Sequence, residues 1–202
     1  MKYWLLFLVM ISAQPAFAAP PDQADDRIRC VAALAILAHD QRNGGELGTY
    51  PPLSVRGARF AQLVGDAVMR ETKQSREQVR DYILAAVAEF QKSASAQPNP
   101  IIAQAAPCLA RLNKLVPPPS LPHCAAIVGL AYDDVRAREG LTKSAKDLAT
   151  IAAILAGRAR EELRGEGKTE AEGDIVLGLA REAAVRDKRE PDLETCFERA
   201  RP

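Results

Sequence analysis

A chain of 202 residues, 48% hydrophobic and 26% charged, is long enough for one or two packed cores and too apolar to be disordered by composition. Its formal charge of +1 leaves no basic or acidic surplus, which argues against nucleic acid or an anionic membrane as the partner. Four cysteines and only two histidines leave little material for a metal site.

The chain opens on Lys2, the apolar run "YWLLFLVMI" and an A-x-A pattern at Ala16 and Ala18, which reads as a signal peptide over residues 1–18. The run is shorter than the roughly 20 residues that span a bilayer, and no later stretch is apolar for long enough, so no transmembrane helix is expected in the mature chain. Removing the leader takes one Lys from the 27 basic residues and matches them to the 26 acids.

Helical periodicity then predicts four helices over Ala24–Gln41, Val55–Lys73, Ser75–Lys92 and Ala105–Leu115. Ser75 with Gln78 is a capping box. The run "VPPPSLP" cannot continue a helix, because each proline lacks an amide donor and restrains the residue before it. It is expected as a linker at 117–122. Four more helices follow, over Pro122–Arg138, Ser144–Arg164, Thr169–Asp187 and Asp192–Arg201, with a second capping box at Thr169 and Glu172. No alternating β-branched runs occur, so the expected class is all-α.

The two sets resemble each other. "RCVAALAILAHDQR" from Arg29 and "HCAAIVGLAYDDVR" from His123 align at an offset of 94, with Cys30 on Cys124, Asp40 on Asp134 and Arg42 on Arg136. An offset of 88 sets Phe60, Leu63, Val64 and Ala67 on Leu148, Ile151, Ala152 and Leu155. An offset of 92 sets Ile83, Ala86 and Val87 on Ile175, Gly178 and Leu179, and 88 returns Cys108 to Cys196. The changes fall in loops, where insertions are tolerated. Two tandem, similar four-helix units are therefore expected, at 19–116 and 123–202.

An even number of cysteines in an exported chain reads as disulfides, and four cysteines allow three pairings. The tandem reading selects Cys30 with Cys108 and Cys124 with Cys196, each tying the first helix of a unit to its last. Isolated cysteines without C-x-x-C exclude a redox pair and a zinc site by spacing, so no metal or cofactor is expected.

No catalytic signature is present: there is no G-x-S-x-G and no H-E-x-x-H, and neither His39 nor His123 recurs between the halves. The recurring Asp40/Arg42 and Asp134/Arg136 suit helix ends, where a basic residue complements the dipole. The asymmetric feature is the loop "NGGELGTYPPLS" from Asn43 to Ser54, with Glu46, Leu47, Tyr50 and Pro51 as candidate contact residues. The function expected is non-enzymatic binding of a protein partner in a cell envelope, periplasmic or secreted, as for an inhibitor, immunity protein, chaperone or accessory subunit. The alternatives are an enzyme using carboxylates between the two units, and a carrier of a small apolar ligand, for which Ala35, Ala67 and Gly129 would make room. An Ala- and Arg-rich chain with this leader suggests a bacterial source.

Overall fold

The structure, a computed structural model, describes residues 21–45, 50–94 and 99–202. The expected leader at 1–18 and the contact residues Glu46 and Leu47 lie outside the described residues. Among the described residues there are eight helices and no strand. They are α1 (Pro21–Arg42), α2 (Ser54–Thr72), α3 (Arg76–Lys92), α4 (Pro100–Leu115), α5 (Leu121–Glu139), α6 (Lys143–Gly165), α7 (Glu170–Arg186) and α8 (Leu193–Ala200). None of these is long and apolar enough to cross a membrane.

The apolar run in α1 covers every side of the helix: Ile28, Cys30, Val31, Ala32, Ala33, Leu34 and Leu37 are all buried. A helix apolar all round must be surrounded, and α1 packs on α2, α3 and α4. In the same way α5, with Cys124, Ala126, Ile127 and Val128 buried, packs on α6, α7 and α8. Most of the buried apolar residues form two separate clusters, one running from Ile28 to Val116 and the other from Cys124 to Cys196, with Ala145, Ala159 and Leu163 of α6 buried outside both. The second is smaller and poorer in large side chains, with Leu155 its one fully buried leucine.

Two disulfides close, Cys30–Cys108 and Cys124–Cys196, with Cα–Cα distances of 5.1 and 5.2 Å. They join α1 to α4 and α5 to α8 across sequence separations of 78 and 72 residues. Constraint of loops this long contributes about 2–4 kcal/mol each.

Both capping boxes form with matching geometry. Gln78 N donates to Ser75 Oγ at 3.3 Å and Ser75 N to Gln78 Oε1 at 2.8 Å; Glu172 N donates to Thr169 Oγ1 at 3.3 Å and Thr169 N to Glu172 Oε2 at 2.8 Å. Two residues before each cap the backbone turns left-handed, at Lys73 (φ 59°) and Gly167 (φ 85°).

The register between the halves differs from the expected one in two helices. In α3 the inward positions are Val79, Ile83, Ala86 and Phe90, and in α7 they are Gly173, Leu177, Ala180 and Ala184, an offset of 94 and not 92. Ile175 and Leu179, expected on the core stripe, are 62% and 57% exposed. In α2 the buried stripe Phe60, Val64, Val68 corresponds to Leu155, Ala159, Leu163 in α6, an offset of 95 and not 88; Leu63 is exposed. Leu148, Ile151, Ala152 and Leu155 of α6 and Ile83, Ala86 and Val87 of α3 do pack on their cores as expected; alanine-rich helices offer several near-equivalent stripes, so apolar spacing alone selected the wrong face of α7 and the wrong alignment of the halves. The length expected as an insertion in the first half's loop is taken up in α6, which starts at Lys143 directly after a short turn.

α4 begins at Pro100, five residues before the expected start, and runs through Pro107. Ala103 and Pro107 both face solvent, so the carbonyl that the proline leaves unpaired is on the hydrated side.

Candidate binding cleft

Three hydrogen bonds from one side chain shape the segment that leads into α2. Gln41, in the last turn of α1, donates from Nε2 to the carbonyls of Tyr50 (2.8 Å) and Pro51 (3.0 Å), and its Oε1 accepts from Leu53 N (3.2 Å). Leu53 is fully buried in the first core, so the segment is pinned at both its polar and its apolar side. Gly45 closes on Asp40, whose carboxylate would have to shift to admit a Cβ at that position.

Across from this segment lies α8. Between them is a cleft of about 880 Å³ whose walls include Tyr50, Pro51, Pro52, Ser54 and Arg56 on one side and Glu194, Thr195, Phe197 and Arg199 on the other. Ser54 Oγ donates to Glu194 Oε2 at 2.5 Å across it, and Arg59 donates to the Glu190 carbonyl. A second cleft of about 910 Å³ lies on the other side of Arg56, walled by Pro117–Pro119, His123, Asp187, Asp192 and Leu193.

Arg56 stands between the clefts, 3% exposed. It occupies the first place of the stripe Arg56, Phe60, Val64, Val68, where the matched stripe of α6 begins with Ile151. Its Nε and Nη2 donate to the Val116 carbonyl (3.2 and 2.8 Å) and Nη2 to Asn113 Oδ1 (2.5 Å). Burial pushes its guanidinium below the ordinary arginine value, and the charge of Asp192 acts in the opposite direction. Asp192 is the N-cap of α8, accepting from Thr195 N at 3.2 Å through Oδ1. Asp192 Oδ2 and Thr195 Oγ1 are buried without a hydrogen-bond partner. Such groups each carry a desolvation cost of about 1–3 kcal/mol.

Of the expected contact residues, Tyr50 and Pro51 line the first cleft. The recurrent Asp/Arg pairs diverge: Asp40 lies against Gly45 and Arg42 lines the cleft, whereas Asp134 pairs with Arg138 at 2.6 Å and Arg136 lies over the Tyr132 ring. His39 Nε2 shares a hydrogen bond with Asn43 Nδ2 at 2.9 Å, and His123 is in the first turn of α5. Of the small residues named for a carrier, Ala35 is exposed, Ala67 is half-buried, and a Cβ at Gly129 would meet the Arg181 guanidinium, which reaches Asp133. Among junction carboxylates, Asp187 is held far below the usual range by hydrogen bonds from Arg189, so it stays ionised and cannot donate a proton near neutrality.

Arg56, Thr195 and Phe197 were not singled out from sequence. The available clue was the charge of Arg56 on an otherwise apolar four-residue spacing. No family model, curated protein or solved structure matches this chain.

Proposed function

We propose that the chain is an exported, non-enzymatic binding protein of the cell envelope, built by duplication from two four-helix units, and that it engages a protein partner through the Tyr50 cleft. The observation that carries this reading is that Tyr50, whose backbone carbonyl is bound by Gln41, and Phe197, each half-buried against its own core, line the same cleft. Aromatic side chains held this way give large contact area at little entropic cost. The disulfides suit an oxidising compartment, in keeping with export. The near-constant offsets of 94, 95 and 94 through the first three helices, with both capping boxes in register, support duplication.

The reading is tested by capture from an envelope extract of the source organism with the intact oxidised protein and with Tyr50→Ala. A stoichiometric partner retained by the parent and lost by the variant supports it. Retention by both places the contact elsewhere.

The competing reading, carboxylate catalysis at the junction, draws on the buried and unpartnered Asp192 Oδ2. It requires Asp192→Asn to abolish turnover of a substrate that Tyr50→Ala still processes.

A further inference from the structure

We infer that the two units form a hinged pair held closed by a clasp of opposite charges, the start of α2 against residues 187–194, and that both clefts exist only while this clasp is shut. The hinge stands independently of what the Tyr50 cleft binds.

The junction between the units is polar. The two apolar cores share no residue, and among the described residues no helix of the first unit packs along a helix of the second. Residues 54–59 hold Arg56 and Arg59 and no acid, whereas residues 187–194 hold four acids, Asp187, Glu190, Asp192 and Glu194, against Lys188 and Arg189. The two stretches meet. Ser54 Oγ donates to Glu194 Oε2 at 2.5 Å and Arg59 donates to the Glu190 carbonyl, while the charge of Arg59 acts on Asp187 and that of Asp192 on Arg56. Glu194 thereby sits at the N-terminal end of α2, whose N-cap Leu53 supplies no side-chain acceptor, and its carboxylate complements that helix dipole. Both arginine–aspartate attractions act across space: Asp187 is hydrogen-bonded to Arg189, and Asp192 Oδ2 has no partner. Arg59 and Asp187 are only half-buried, so their attraction weakens as salt rises.

The linker supplies the axis. Its Val116 carbonyl accepts from Arg56 of the first unit, and its Pro119 carbonyl accepts from Arg199 of the second at 2.8 Å. Pro117 and Pro118, between these two ties, are exposed. Each proline fixes its own φ, so rotation there is left to a few ψ angles, which gives a confined swing and not a free tether. Relative motion is the default between domains whose interface is not large and apolar. Opening parts the walls of the first cleft, because Tyr50, Pro51 and Arg56 belong to one unit and Glu194, Phe197 and Arg199 to the other. It parts the second cleft in the same way, separating Arg59 and Leu63 from Asp187 and Leu193.

The test is small-angle X-ray scattering of the intact oxidised protein, without a partner, in sodium chloride from about 0.01 M to about 1 M, over which the screening length falls from about 30 Å to about 3 Å. The radius of gyration is expected to rise with salt by about a tenth, well short of the roughly twofold rise that unfolding gives, with helical circular dichroism unchanged. Arg59→Glu, which sets a carboxylate against Asp187 and Glu190, is expected to be expanded already at low salt. A parent radius indifferent to salt, or an Arg59→Glu protein as compact as the parent at low salt, overturns the inference. So does expansion with loss of helical signal, which is unfolding of a unit. Because the scattering is read on the free protein, its failure leaves the binding reading standing, and a partner retained by Tyr50→Ala moves the contact while leaving the hinge.

Discussion

Gln41 holds Tyr50 in place: the side-chain amide of one donates to the backbone carbonyl of the other at 2.8 Å, and the same amide reaches Pro51 and Leu53. The end of α1 thereby organises a cleft wall nine residues further along the chain.

Replacing Gln41 by Leu should therefore act on stability and on binding together. Three hydrogen bonds, two of them partly buried, are lost and backbone groups are left without partners, for a cost of about 1–3 kcal/mol in denaturant unfolding. Partner capture should fall with it. Gln41→Glu, which keeps the acceptor for Leu53 N but loses both donors, should retain part of the stability; a variant as stable as the parent would show that the segment holds itself.

The disulfides should not be equally important. The second core is the smaller, so Cys124→Ser with Cys196→Ser should destabilise its half more than Cys30→Ser with Cys108→Ser destabilises the first, each within about 2–5 kcal/mol. Hydrogen exchange read by half checks this. A larger loss from the Cys30–Cys108 pair would mean that core size does not set the dependence.

Two isoleucines separate the two possible registers. Ile83 packs against the first core, while Ile175 is 62% exposed. Ile83→Asn should cost about 2 kcal/mol or more, and Ile175→Asn should stay within about 0.5 kcal/mol. Similar costs at both positions would restore the offset of 92.

Acid should destabilise the protein through identifiable carboxylates. Glu71 is held below its ordinary value by a hydrogen bond from Arg27, Glu172 by its own capping box, and Asp187 by Arg189. Because each value is lowered by folding, each ionised group contributes stability that is complete above the unfolded carboxylate range, near pH ~4, and is lost as pH falls through the folded values. The thermal midpoint should be level from about pH 5 to 7 and drop below about pH 4. Glu172→Gln keeps a capping acceptor, as Gln78 does in the first half, and should shallow the drop without lowering the neutral midpoint. An unchanged acid profile in Glu172→Gln and Asp187→Asn would contradict this assignment.

Much of the fold was legible because its signals are local. Ser75 with Gln78 and Thr169 with Glu172 fixed two helix starts, and the prolines from Pro117 to Pro119 fixed the break between the halves. The cysteine pairing followed from the repeat and is present in the structure. The helix register was not legible from Ala-rich stripes, although the capping boxes, 94 residues apart, already carried the right offset. The cleft was only half legible. Tyr50 and Pro51 stood out as loop residues, but Thr195 lies 139 positions from Arg56 and resembles an ordinary helix-start residue until the chain folds.

Hydrogen exchange across the intact protein, with and without its captured partner, locates the contact surface. New protection is expected at residues 50–56 and 193–199, on the two walls of the cleft, with the outer face of α7 unchanged. Protection confined to Ile175 and Leu179 on α7, with the cleft walls exchanging as before, would contradict the proposed function.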